Sequence, residues 1–271
     1  MVKKSFNKIP QKYRVVLISL LAFGTVCFVS FTIYFKYYGV LPDPLSNLLD
    51  EIPAPKSSDR ILVFSPHPDD ETIAAGGFMH QAVSIGAKVE IICITDGNRR
   101  KLKKTRYAEL KKVTSIIGVN EKNIKFYDFP DSKLKNHKSE FSKKAKIDID
   151  DFKPTIIFSP LVEDSHVDHR AAAETIDEIY AASDYSKILK YRYLVHFQYW
   201  PRPEGLYPTK HMLPPVKLMN VKYKWQKFYL TTNTLDNKTE AVLQYKSQLK
   251  MVWPRILLQS SIRKNELFVI E

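Results

Sequence analysis

Cysteine is almost absent from this 271-residue chain, which holds only Cys27 and Cys93. Two distant cysteines, both in apolar runs, exclude a disulfide framework and a cysteine-rich structural zinc site. Glycine is scarce as well, with 8 residues. The Gly76-Gly77 pair falls after a helix has begun, so it reads as a close helix–sheet contact and not as a phosphate loop. Acidic residues are missing from residues 1–36, which carry six lysines and arginines toward the formal net charge of +13. No internal repeat, low-complexity tract or nucleic-acid-binding motif accompanies that charge, which argues against nucleic acid as a partner.

Long apolar runs are also missing, with one exception. Val15–Phe35 carries no charged residue. At about 1.5 Å per residue it is long enough for the roughly 30 Å hydrocarbon core of a bilayer. A cleaved signal peptide would have a shorter apolar stretch, about 7–15 residues, ending in small side chains. This one ends in Tyr34-Phe35-Lys36-Tyr37-Tyr38, an aromatic end that suits a membrane interface. The expected organisation is a basic tail over 1–14, a transmembrane anchor over 15–36, a Pro-rich linker over 37–59 and one domain over 60–271. The basic residues before the run place the N-terminus in the cytoplasm and the remaining chain outside.

From Arg60 onward, short apolar strands alternate with amphipathic helices. Strands are expected over 60–65, 88–95, 123–128, 155–159 and 191–199. Helices are expected over 70–86, 103–118, 138–151 and 167–182, with a last one over about 236–251. This pattern predicts an α/β, Rossmann-like three-layer fold with a mostly parallel sheet. After 199 the chain turns rich in proline and aromatics, and Trp200, Tyr207 and Trp225 are candidates to stack on sugar rings or to anchor loops. Arg99, Arg100, Lys101, Lys103, Lys104, Arg106, Lys111 and Lys112 form a basic stretch. It is either a solvated helix face or a patch for an anionic polymer or lipid headgroup.

Chemistry concentrates at expected strand ends. Pro66-His67-Pro68-Asp69-Asp70-Glu71 follows the first strand. Alone, it is equally a helix cap or half of a metal site. A second cluster, Ser165-His166-Val167-Asp168-His169-Arg170, follows the fourth strand. Two such loops side by side supply three metal ligands, an open coordination position and spare acid–base groups. Thr95-Asp96-Gly97 follows the second strand at the same edge.

These motifs resemble the PIG-L/LmbE family of zinc-dependent deacetylases. The resemblance also takes in the Arg106/Glu109 pair and the late run Glu240-Ala241 to Tyr245-Lys246-Ser247-Gln248. It implies Zn2+ on His67, Asp70 and His169, with Asp69 as general base. It further implies that His166 stabilises or protonates the tetrahedral intermediate, and that Asp168 orients a histidine. Asp96 and Arg106 become candidate substrate contacts. The implied activity is removal of the N-acetyl group from a GlcNAc-type sugar in an envelope glycan or glycolipid. The alternatives are a zinc amidase acting on another small or lipid-linked substrate, and a non-catalytic glycan-binding module.

Overall fold

The computed structural model describes residues 10–37, 41–198, 200–201 and 208–270. The chain divides into two units, Met1–Val40 and Leu41–Glu271. In the first, helix α1 runs from Gln11 to Tyr37. Its Gln11–Ile33 segment has a mean hydropathy of 2.3 and is long and apolar enough to cross a membrane. The Thr25 and Thr32 hydroxyls donate to the carbonyls of Leu21 and Phe28, both at 2.8 Å. Each polar side chain is thereby satisfied within the helix itself. Tyr38 lies outside the described residues.

The second unit is an eight-stranded sheet covered on both faces. In chain order its elements are β1 (Asp50–Glu51), β2 (Arg60–Ser65), α2 (Asp70–Ser84), β3 (Lys88–Thr95), α3 (Lys103–Ile117) and β4 (Ile124–Phe129). Then come α4 (Lys138–Phe152), β5 (Ile156–Pro160), α5 (Val167–Ala181) and β6 (Leu189–Tyr193). The remainder is β7 (Lys224–Tyr229), α6 (Thr232–Val242), α7 (Lys246–Leu249), α8 (Val252–Ser260) and β8 (Asn265–Ile270).

The sheet order is β1-β7-β8-β6-β5-β2-β3-β4. The five expected strands form its parallel part, β6-β5-β2-β3-β4. Side chains alternate between two buried faces. Ile61 and Val63 of β2 join Phe78 of α2, Val113 of α3 and Val242 of α6 in one core cluster. Leu62 and Phe64 join Phe141 of α4 and Ile176 of α5 in the other. The two clusters give the expected three layers.

Several expectations change. The stretch expected as a linker, 37–59, divides at Val40/Leu41, and its later part is built into the domain. β1 pairs with β7, Ile52 is buried, and Lys227 Nζ donates to the Ser46 carbonyl at 2.7 Å. The strand expected to reach 199 stops at Tyr193, because the Asp164 carboxylate takes the amides of Val195 and His196. The late helix is broken after Val242, and Tyr245 turns into the core. Trp200 and Trp225 belong to a third core cluster and donate to the carbonyls of Leu213 and Leu218. They are loop anchors. Tyr207 lies outside the described residues.

Gly77 is the close contact expected of it. A Cβ there would sit 2.4 Å from a Leu230 methyl, and its amide donates to Glu266 Oε1 at 2.7 Å.

Candidate metal and catalytic site

β2 and β5 are parallel neighbours, with Ile61 opposite Ile156 and Val63 opposite Phe158. The strand order reverses direction between them, which opens a crevice at their carboxyl ends. The loop after β2 carries His67, Asp69 and Asp70, and the loop after β5 carries His166, Asp168 and His169. All six line the crevice or support it.

Three donor atoms converge on its floor. His67 Nδ1 lies 3.1 Å from Asp70 Oδ2, His169 Nε2 lies 2.9 Å from the same oxygen, and the two nitrogens are 3.3 Å apart. Ligands about 2.0–2.2 Å from a tetrahedral zinc ion stand roughly 3.3–3.5 Å from one another, so this triangle is close to one face of such a tetrahedron. Each imidazole has a carboxylate on its other nitrogen. Asp168 Oδ2 is 3.2 Å from His67 Nε2, and Asp164 Oδ2 is 3.0 Å from His169 Nδ1. Such outer carboxylates fix the ring orientation and raise ligand basicity. Asp168 is itself held by the amides of Ser132 and Leu134, at 2.6 and 3.0 Å.

The electrostatics favour a cation. Burial opposes charge on His67, but its hydrogen bonds to Asp168 and Asp70 outweigh this and lift its pKa to about 9. Burial likewise opposes charge on Asp70, and the adjacent His169 holds its carboxyl well below the usual range. A buried site that stabilises imidazolium against carboxylate offers the same field to a divalent ion in the protons' place. The residues therefore fit the metal.

Asp69 stands beside this floor. It occupies the N-cap position of α2 but makes no side-chain cap bond. Its Oδ1 instead accepts from Arg106 Nη2 at 3.0 Å. Burial raises its carboxyl to about 7, against the lowering pull of Arg106. Its backbone sits at φ 151°, ψ −24°, a conformation held by surrounding contacts. Among these, its amide donates to Glu71 Oε2 at 3.2 Å. Glu71 is in turn gripped by Tyr245, whose hydroxyl donates to Oε1 at 2.6 Å. Glu109 receives the Ser247 amide and hydroxyl at 2.7 and 2.6 Å. The late run singled out in the sequence is thus tied to the site.

His166 caps α5, its Nδ1 accepting from the Asp168 amide at 3.2 Å. Burial and the neighbouring His67 and His169 push its pKa down to about 3. The ring is neutral, with its proton left on Nε2.

Of the expected substrate contacts, Arg106 lines the cavity and braces Asp69. Asp96 does not line it: its Oδ1 accepts the amides of Asn98 and Asp131, each at 3.1 Å, and so shapes the loop. Three residues escaped sequence reasoning. His196, after β6, places Nε2 4.0 Å from Asp70 Oδ1 and belongs to the same metal-capable group. Asp131, after β4, comes within 3.8 Å of His67 Nε2. Asp164 supports His169. His196 and Asp131 are lone residues after strands and Asp164 stands just before the second histidine motif, and their place at the shared sheet edge was the signal available.

Residues 62–180 match the family described as PIG-L: GlcNAc-PI de-N-acetylase. The chain carries a PIG-L family domain. A diacetylchitobiose deacetylase of Thermococcus kodakarensis is 31% identical over 125 residues, which cover 42% of this chain and 46% of that protein. A Bacillus cereus protein described as "Probable N-acetyl-alpha-D-glucosaminyl L-malate deacetylase 2" is 29% identical over 131 residues, 43% of this chain and 59% of that one. The chain spans about half the length of the curated relatives it matches. Among solved structures, the N,N'-diacetylchitobiose deacetylase of Pyrococcus horikoshii superposes with a TM-score of 0.55 at 19% identity, covering 79% of this chain and 84% of that one. A deacetylase of teicoplanin biosynthesis gives a TM-score of 0.60 at 15% identity, covering 78% and 97%. These likenesses establish the PIG-L deacetylase fold.

Proposed function

We propose that this protein is a zinc-dependent N-deacetylase. Its substrate is a GlcNAc-type amino sugar in a cell-envelope glycan or glycolipid. The reading rests on one observation above the rest. His67 Nδ1, Asp70 Oδ2 and His169 Nε2 converge within 3.3 Å of one another, with Asp69 and His166 beside them in one cavity. That cavity, of about 350 Å³, has room for a sugar unit.

His67, Asp70 and His169 would hold the ion. When bound, zinc lowers the pKa of a water molecule to about 7 and polarises a carbonyl. Asp69 Oδ1 is engaged by Arg106, so Oδ2 takes the proton as water attacks the amide carbon. Because Asp69 is poised near 7, it binds that proton and then releases it to the departing nitrogen. His166 Nε2–H donates to the carbonyl oxygen as negative charge grows there. The products are acetate and a free amine.

Two features support a membrane location: the length of α1, and a basic flank before it followed by Asp43, Asp50 and Glu51. The N-terminus lies in the cytoplasm and the domain outside. Protection of the domain from protease in intact cells would refute that topology. The activity is tested by acetate release from diacetylchitobiose by the full-length chain in non-ionic detergent, before and after chelation. Absence of metal-dependent release from this or any other GlcNAc-containing substrate refutes the function.

A further inference from the structure

The charges lining the cavity are sorted by depth. Its three acids, Asp69, Asp70 and Asp131, all lie beside the histidine floor. Asp70 is paired with the histidines and Asp69 with Arg106. A divalent ion there would leave the floor more positive still. Toward solvent the cavity is lined by Arg99 and Arg100, both exposed, from the loop between β3 and α3. Neither forms an ion pair among the described residues. Arg100 Nη1 rests against Met251 Sδ, which stations its guanidinium on the wall. Beside Met251, also on the cavity wall, is Trp253, 60% exposed. Lys101 and Lys104, both exposed, add charge of the same sign behind the arginines.

Exposed guanidiniums at a cavity mouth, with no carboxylate paired to them among the described residues, are open to an incoming anion. A planar guanidinium matches carboxylate and phosphate oxygens in two-point contacts. An aromatic face beside it suits a sugar ring. A one-signed rim also draws oppositely charged ligands in from solution. The basic stretch that the sequence left between a solvated face and a binding patch therefore has a definite part in the site, carried by Arg99 and Arg100.

We infer that the substrate carries an anionic group, a carboxylate or a phosphate, next to the N-acetylated sugar, and that Arg99 and Arg100 bind it. This deepens the deacetylase reading and rests on it.

The test compares acetate release by the full-length chain from three substrates. They are neutral diacetylchitobiose, N-acetylglucosamine 1-phosphate, and a disaccharide of N-acetylglucosamine with glucuronic acid. At low ionic strength at least one anionic substrate should show a kcat/KM about tenfold above the neutral one, and which one leads separates phosphate from carboxylate. Salt at about 0.5 M should erase most of that ratio, because exposed charges are screened. Arg99→Gln and Arg100→Gln should each lower the anionic-to-neutral ratio several-fold, and the charge reversal Arg99→Glu should invert it. A neutral substrate that matches or beats both anionic ones overturns the inference and leaves the deacetylase intact. Variants that depress all three substrates equally overturn it too. Acetate from none of the three overturns the deacetylase reading, and this one with it.

Discussion

On the cavity floor every reactive side chain is gripped by a second one, whereas on the outer wall the side chains stand in solvent. His67 leans on Asp168, His169 on Asp164 and Asp69 on Arg106. Arg99, Arg100 and Trp253 are exposed. The floor comes from strand ends in the parallel part of the sheet. The wall comes from a loop and from α8, far along the chain. Bond-breaking needs donor atoms fixed to fractions of an ångström, and interlocked carboxylates supply that. Recognition of a ligand tolerates movement, and exposed side chains adapt. Floor and wall can therefore change independently.

The sharpest way to break this division is to remove a ligand. His169→Ala should abolish acetate release, by about a thousandfold or more, and leave the purified protein without stoichiometric zinc. Retained zinc with lost activity would assign His169 to the chemistry and not to the ion. Next, Asp69→Asn keeps the shape and removes the base. Its kcat should fall about 10²–10⁴-fold while metal content stays at one per chain. An active Asp69→Asn enzyme would move the base elsewhere. Asp164→Asn tests the layer beneath: zinc affinity, read by competition with a chelating dye, should weaken about 10–100-fold. Unchanged affinity would reduce Asp164 to a partner of the 195–196 backbone. The smallest effect belongs to the wall. Trp253→Ala should raise KM a few-fold with kcat unchanged, the mark of an interaction equal in ground and transition states. A fall in kcat instead would erase the contrast between wall and floor.

The sequence exposed the floor more fully than the wall, for a physical reason. A parallel sheet delivers its chemistry in short loops after apolar strands, so His67, Asp69, Asp70, His166 and His169 stand in two compact motifs. The five parallel strands were legible because burial on both faces leaves continuous apolar runs such as Ile61–Phe64. Single residues carry no such mark. His196 follows β6 with nothing beside it, and Asp131 reads like any turn aspartate. β1 is two residues long, in a segment whose prolines signal a linker. Trp253 was hidden because nothing local shows which tryptophan faces a cavity, whereas Trp200 and Trp225 turn inward to find acceptors for their indole nitrogens.

β8 comes after both of its sheet neighbours in the chain, yet lies between them, antiparallel to β6 and to β7. From it, Glu266 reaches the amides of Gly77 and Phe78 in the helix that begins with Asp70. The chain must therefore thread its last described strand into a gap before the first half of the molecule is locked. Such long-range closure is slow and leaves strand edges open meanwhile. A chain cut just before Asn265 lacks both the strand between β6 and β7 and the carboxylate that holds the Gly77 and Phe78 amides, so it should aggregate rather than fold to a slightly less stable protein.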